Sequence, residues 1–172
     1  MRQTPSQTVG PYFAYGLTPE QYLYDFKSLV GNRLVDPLAG PEAVLIYGRV
    51  FDGQGQPVSD ALIELWDAAN RRFGRFGTGT DPDCRFLFHT VKPGSVDGQA
   101  PHLSVIVFMR GQLIHSYTRL YFPEETDANA ADPVLNAVPE HRRQTLIARR
   151  TPAGYEFDIY MQGERETVFF EI

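Results

Sequence analysis

Residues 44–66 read VLIYGRVFDGQGQPVSDALIELW, and the fold turns on this stretch. Val44–Phe51 is rich in β-branched and aromatic residues and predicts a strand. Asp52-Gly53-Gln54-Gly55 follows as a turn of residues that tolerate positive φ, and Pro57 fixes the backbone as the chain returns. Ala61–Trp66 predicts the next strand, with Leu62, Glu64 and Trp66 on one face and Ala61, Ile63 and Leu65 on the other. Working outward, strands are expected at Arg85–Thr90, Leu103–Met109 and Ile114–Phe122, the last two joined by a tight hairpin at Gly111-Gln112. Pro139–Ala148 predicts a short helix, and Tyr155–Gln162 and Thr167–Ile172 predict closing strands. Many short strands separated by turn signals predict an all-β sandwich with one or two short helices.

With 172 residues the chain is long enough for one ordinary domain and an arm. Residues 1–42 differ from the rest and are expected to form an N-terminal arm and short helix that pack on a partner, ahead of a sandwich domain at 43–172. Met1–Gly16 has neither helical nor strand periodicity, yet Tyr12, Phe13 and Tyr15 are costly to leave in water, so the arm must lie against its own domain or a neighbour. Thr18 before Pro19 reads as the N-cap of a short helix. A net charge of −5 with no basic cluster gives no support to nucleic-acid binding. Cys84 is the lone cysteine, which excludes an internal disulfide and suits a reducing compartment. No signal-peptide pattern and no membrane-length apolar run is present, and the expectation is a soluble, cytoplasmic protein.

The strand-turn-strand unit alone fits a transthyretin-like sandwich and carries no chemistry. A second set of residues is more specific: Trp66, then Lys92-Pro93-Gly94, then Ala100-Pro101-His102-Leu103-Ser104. In this order they resemble the intradiol ring-cleavage dioxygenases, non-haem Fe(III) enzymes that open catechols between their two hydroxyls. The resemblance implies a metal shell of two tyrosinates and two histidines, hard phenolate oxygens being suited to ferric iron. Here the first histidine position is His102 and the second is Ser104, while Ser95–Gln99 and Asp67–Cys84, where the tyrosines belong, contain none. Three of four ligands are therefore absent, and no metal is expected on this chain. Thr4–Tyr12 (TPSQTVGPY), Arg110-Gly111, Thr118–Phe122 (TRLYF) and the ending Gln162–Phe170 resemble the iron-free alpha chain of two-chain members of that family. The Asp67–Cys84 segment is shorter than such a chain implies.

What the resemblance implies is an accessory subunit in a higher hetero-oligomer, with Fe(III) carried by a beta partner. The complex would cleave protocatechuate with O2 to 3-carboxy-cis,cis-muconate in aromatic catabolism, the ferric centre activating the bound catecholate. Thr8, Gly10 and Pro11 would wall the partner's substrate pocket, Gly10 by allowing close approach to a ring and Pro11 as a rigid edge. Arg110, beside the hairpin turn, would suit a carboxylated substrate. The plainer readings are that Gly10-Pro11 turns the arm, that Arg110 is a solvated turn residue, and that His102 is a hydrogen-bonded core histidine. A transthyretin-like binding or scaffold module is the alternative function. His89, His115 and His141 show no ligand spacing, and Asp67, Asp81 and Asp83 lack a calcium-loop pattern.

Overall fold

Alternating side chains place two sheets face to face in the computed structural model, which describes residues 8–10, 12–36 and 43–171. The strands are β1 Ala43–Phe51, β2 Leu62–Asp67, β3 Arg72–Gly77, β4 Arg85–Val91, β5 His102–Phe108, β6 Ser116–Tyr121, β7 Arg149–Thr151, β8 Gly154–Glu156 and β9 Ile159–Tyr160. One sheet runs β4-β1-β8-β7, with β9 also paired to β1, and the other runs β3-β2-β5-β6. Ile46, Val50, Phe86 and Phe88 from the first sheet meet Ile63, Leu65, Leu103, Val105 and Val107 from the second, each at most 1% exposed. Burying each of these side chains is worth about 1.5–3 kcal/mol, which makes this interface the main source of stability. Among the described residues, no helix is long and apolar enough to cross a membrane.

The described part of the N-terminal segment closes one side of its own sandwich. Helix α1, Phe13–Leu17, buries Ala14, and a 3₁₀ turn follows at Pro19–Tyr22. Thr18 does not cap that turn as the sequence predicts. Its hydroxyl donates back to the Ala14 carbonyl at 2.9 Å, which satisfies the end of α1 instead. The Gln21 amide pairs with the Gly77 backbone in both directions, at 2.7 and 2.8 Å, and so covers the free edge of β3. Beyond it the Gly31 carbonyl accepts from Arg75 N–H, while Asn32 and Leu34 bond the backbone of His89 on β4. Residues 31–34 thereby link the edge strands of both sheets.

Several expectations need correction. β3 and the two helices α2 Thr126–Ala131 and α3 Pro133–Ala137 have no counterpart in the sequence reading. The single helix expected at Pro139–Ala148 is one turn, α4 Glu140–Arg143, continued as 3₁₀ at Gln144–Leu146. Tyr155–Gln162 divides into β8 and β9, both parallel to β1 in one register, because between them Arg49 N–H bonds the Asp158 carboxylate instead of the backbone. The strand expected at Thr167–Ile172 is an extended tail that meets Tyr160 and Tyr117 at single points, and Ile172 lies outside the described residues. β6 begins at Ser116, since Leu113 and Ile114 are exposed in a longer loop.

The close approach of Phe157 to β1 demands a glycine. A Cβ on Gly48 would sit 1.9 Å from the Phe157 carbonyl oxygen, a backbone atom that cannot yield without displacing β8 and β9. Gly48→Ala is expected to cost about 3 kcal/mol or more in urea melting, whereas Gly94→Ala should stay within about 0.5 kcal/mol. A Cβ on Gly94 meets nothing within 4 Å, so equal effects would refute the close-approach argument. A pH dependence follows from His89, whose imidazole is held below its ordinary 6.5 by burial, with Arg33 adding to the effect. A depressed folded pKa means that stability is present above the unfolded value and is lost as pH falls toward the folded one. Urea stability should therefore drop between about pH 7.5 and about pH 5.5, and His89→Gln should reduce that drop. An unchanged drop in the variant would locate the acid sensitivity elsewhere.

Candidate functional site

The β5–β6 loop and the N-terminal arm meet at one corner. Gly111, at φ +87°, lets the chain reverse. The Gln112 side chain braces the loop by accepting from Met109 N–H at 3.1 Å and donating to Ser116 Oγ at 2.5 Å. Thr8 docks on this turn: its hydroxyl donates to Gln112 O at 2.6 Å and accepts from Gly111 N–H at 3.0 Å. Arg110 leans the other way, giving Nε and Nη2 to one oxygen of Asp60, Oδ2, at 2.6 and 2.5 Å. Asp60 is buried while the Arg110 side chain is 60% exposed, and the pairing raises the arginine pKa further. The structure thus brings Thr8 and Arg110 to the same turn. Gly10 accepts from Phe13 N–H at 3.1 Å and has open space around it. Phe13 in turn packs on Phe108 at the end of β5, with ring centroids 5.5 Å apart. Pro11 lies outside the described residues.

His102 and Ser104 lie on the outward face of β5, opposite Leu103 and Val105, which enter the core. His102 Nδ1–H donates to Ala100 O at 2.8 Å, leaving Nε2 as the free nitrogen. Burial lowers its pKa, and the nearby Arg119 guanidinium lowers it further. Ser104 Oγ shares a 2.9 Å hydrogen bond with the Tyr117 hydroxyl. Arg119 pairs with Ser104 across the sheet, between the His102–Tyr121 and Ile106–Tyr117 pairs, and gives Nη1 to Gln99 at 2.6 Å. Tyr121 is fully buried, and burial pushes its phenol up to about 12; its hydroxyl donates to Asp132 at 3.3 Å.

This set does not fit ferric iron. A single imidazole, a serine committed to Tyr117, and a phenol held protonated surround a fixed guanidinium charge, which repels a cation. Among the described residues, no group of three or more His, Cys, Asp and Glu side chains could hold a metal ion. The neighbouring motif residues are structural in their contacts. Asp132 caps α3 by accepting from Val134 and Leu135 N–H and also takes Ala100 N–H at 2.8 Å, so it ties the Ala100-Pro101-His102 segment to the helix. Lys92 pairs with Glu125 and Glu124, and Tyr155 bonds Glu124, which anchors the Lys92-Pro93-Gly94 turn to the segment after β6. Asp81 pairs with Arg85 and turns its own loop. Sequence reasoning missed Asp60 and Arg119 as site neighbours: nothing local links Asp60 to an arginine 50 residues away. The alternation along Thr118–Phe122 could have put Arg119 on the outward face.

Comparison with known proteins places this geometry. The chain is 52% identical to a protocatechuate 3,4-dioxygenase alpha chain of Burkholderia cepacia, with 100% of this chain and 98% of that one covered. It is 42% identical to the alpha chain of the Pseudomonas putida enzyme, over 98% and 96% of the two chains. The first alignment runs to 194 positions against 172 residues here, so the relative carries segments this chain lacks. A beta chain of protocatechuate 3,4-dioxygenase from Burkholderia cepacia is 31% identical over 73% of this chain and 67% of its own length. No protein-family model matches. Among solved structures, the dioxygenase domain of a dioxygenase–carbohydrate-binding fusion from Streptomyces sp. SirexAA-E has TM-score 0.57 and 22% identity, covering 97% of this chain and 100% of that one. Hydroxyquinol 1,2-dioxygenase from Pseudomonas putida DLL-E4 has TM-score 0.54 and 18% identity over 76% and 59%. These two likenesses bear on the fold, an intradiol-type sandwich. Identity at this level over nearly the full length of both alpha chains establishes that the chain belongs to the protocatechuate 3,4-dioxygenase alpha-chain family.

Proposed function

We propose that this chain is the iron-free subunit of a cytoplasmic, two-chain dioxygenase that cleaves protocatechuate with O2 to 3-carboxy-cis,cis-muconate, with Fe(III) held by a beta partner. The observation that carries the reading is the corner where Thr8 docks on Gly111-Gln112 beside Arg110. On this reading it would offer two kinds of group to a partner's pocket: the arm backbone at Gly10 and the Arg110 guanidinium for the ring carboxylate. Arm and partner together would complete the pocket wall and exclude water, while the ring-opening chemistry stays with the partner. His102 and Ser104 keep structural roles beneath Arg119, in line with a chain that contributes shape and charge rather than a metal.

Expression alone and together with the beta-like chain tests the assignment. The isolated chain should carry no iron and take up no oxygen with protocatechuate, and the co-expressed complex should carry iron and turn over. His102→Ala in this chain should leave the iron content of the complex unchanged. Thr8→Val removes both bonds to the turn and should raise KM for protocatechuate about three- to tenfold. Stoichiometric iron in the isolated chain would overturn the reading, and a chain that ignores the beta partner would point to a binding module instead.

A further inference from the structure

We propose that Asp60 is a positioning residue that presents Arg110 to the substrate carboxylate and so sets the preference of the assembled enzyme for a carboxylated ring over unsubstituted catechol. The inference rests on the reading of Arg110 as part of the pocket wall. It starts from an asymmetry in the ion pair. Both arginine contacts, from Nε at 2.6 Å and Nη2 at 2.5 Å, go to the single oxygen Oδ2 of Asp60. A guanidinium has five N–H donors, so this use of one side leaves both Nη1 hydrogens and the outer Nη2 hydrogen uncommitted to Asp60. That free Nη1/Nη2 edge can still take a carboxylate in two parallel hydrogen bonds. Asp60 is the acidic side chain that pairs with Arg110 among the described residues.

Asp60 is well placed to direct a longer, flexible partner. It is only 9% exposed, and the backbone on either side is clamped by one buried threonine. Thr78 Oγ1 donates to Val58 O at 2.7 Å and accepts from Ala61 N–H at 3.1 Å, while Thr78 N–H bonds Ala61 O at 2.9 Å. Arg110 in contrast is mostly exposed and lies next to the loop that Thr8 pins. A short carboxylate on a fixed backbone therefore dictates where the guanidinium plane lies. Because the Arg110 side of the pair is 60% exposed and screened by solvent, the pair adds little to stability, which makes orientation the more consequential effect. The Asp60 charge also offsets part of the arginine charge, so a substrate must match the fork geometry rather than merely bring a negative charge.

The test uses the co-expressed complex, with iron content and melting checked for each variant. Steady-state oxygen uptake is measured with protocatechuate and with catechol, the latter as substrate or as competitor. Asp60→Ala should lower kcat/KM for protocatechuate about tenfold, mainly through KM and with kcat within about twofold, and leave catechol unchanged. Asp60→Asn, which keeps shape and an acceptor, should lose less and serves if the alanine variant does not assemble. Parallel losses on both substrates, or an unchanged preference, would overturn the proposal. Arg110→Ala separates the two levels. If it leaves the preference intact, the pocket-wall reading of Arg110 fails and the proposal with it. If it abolishes the preference while both Asp60 variants retain it, the positioning role alone is wrong.

Discussion

Burial of Leu103, Val105 and Val107 against Phe86 and Phe88 is the constraint on which the rest depends. A strand has a period of two, so committing these residues to the core commits His102, Ser104 and Ile106 to the outer face. A slip of one residue would exchange the two sets and expose the apolar row. The same register pairs Ser104 with Arg119 and leads β5 out at Phe108 and into the turn at Gly111. The outer-face cluster and the arm corner are therefore two ends of one hairpin, positioned by one core.

Charge organises the outer face where apolar burial does not reach. Arg75 pairs with Glu64, both largely buried, next to Trp66 and Phe73 on the same surface. Arg119 lies over the Phe170 ring at 5.9 Å and reaches Gln99. Half-buried guanidinium groups of this kind must find acceptors or aromatic faces, since an unpaired buried charge costs several kcal/mol. Asp132, fully buried, is satisfied by three backbone N–H groups and the Tyr121 hydroxyl. These polar pairs hold the face in one arrangement, with Arg119 Nε left buried without a hydrogen-bond partner among the described residues.

The legible part of the fold is the part dictated by period and turn chemistry. β1, β2, β4 and β5 follow from alternation within a residue or two of the expected bounds. β3 was not legible because Gly74 on its inward face and Gly77 on its outward face show no side chain to read. Their space is filled by Leu34 and Tyr22, contacts no local pattern reveals. α3 did carry a signal, Asp132 before Pro133, and its N-cap bonds to Val134 and Leu135 are the ones that signal implies. The site divides in the same way. His102 and Ser104 stand at alternate positions on one strand and can be read together, whereas Thr8 meets Gly111 across 103 residues. Only the closed structure shows that pairing.

If the proposed reading holds, the arm corner is what would let chemistry and shape reside on different chains. Neither bond of Thr8 depends on side-chain identity in the turn, because both partners are backbone groups. The turn can therefore hold the arm whatever faces it from outside, and Arg110 can be aimed independently through Asp60. On the proposed reading, the loop sets distance and the ion pair sets orientation, two separate controls on one recognition surface. A metal shell of its own would add nothing to either control. On the proposed reading, an outer face held by the Ser104–Tyr117 and Arg119–Gln99 bonds is what lets this chain act as a rigid wall for its partner's site.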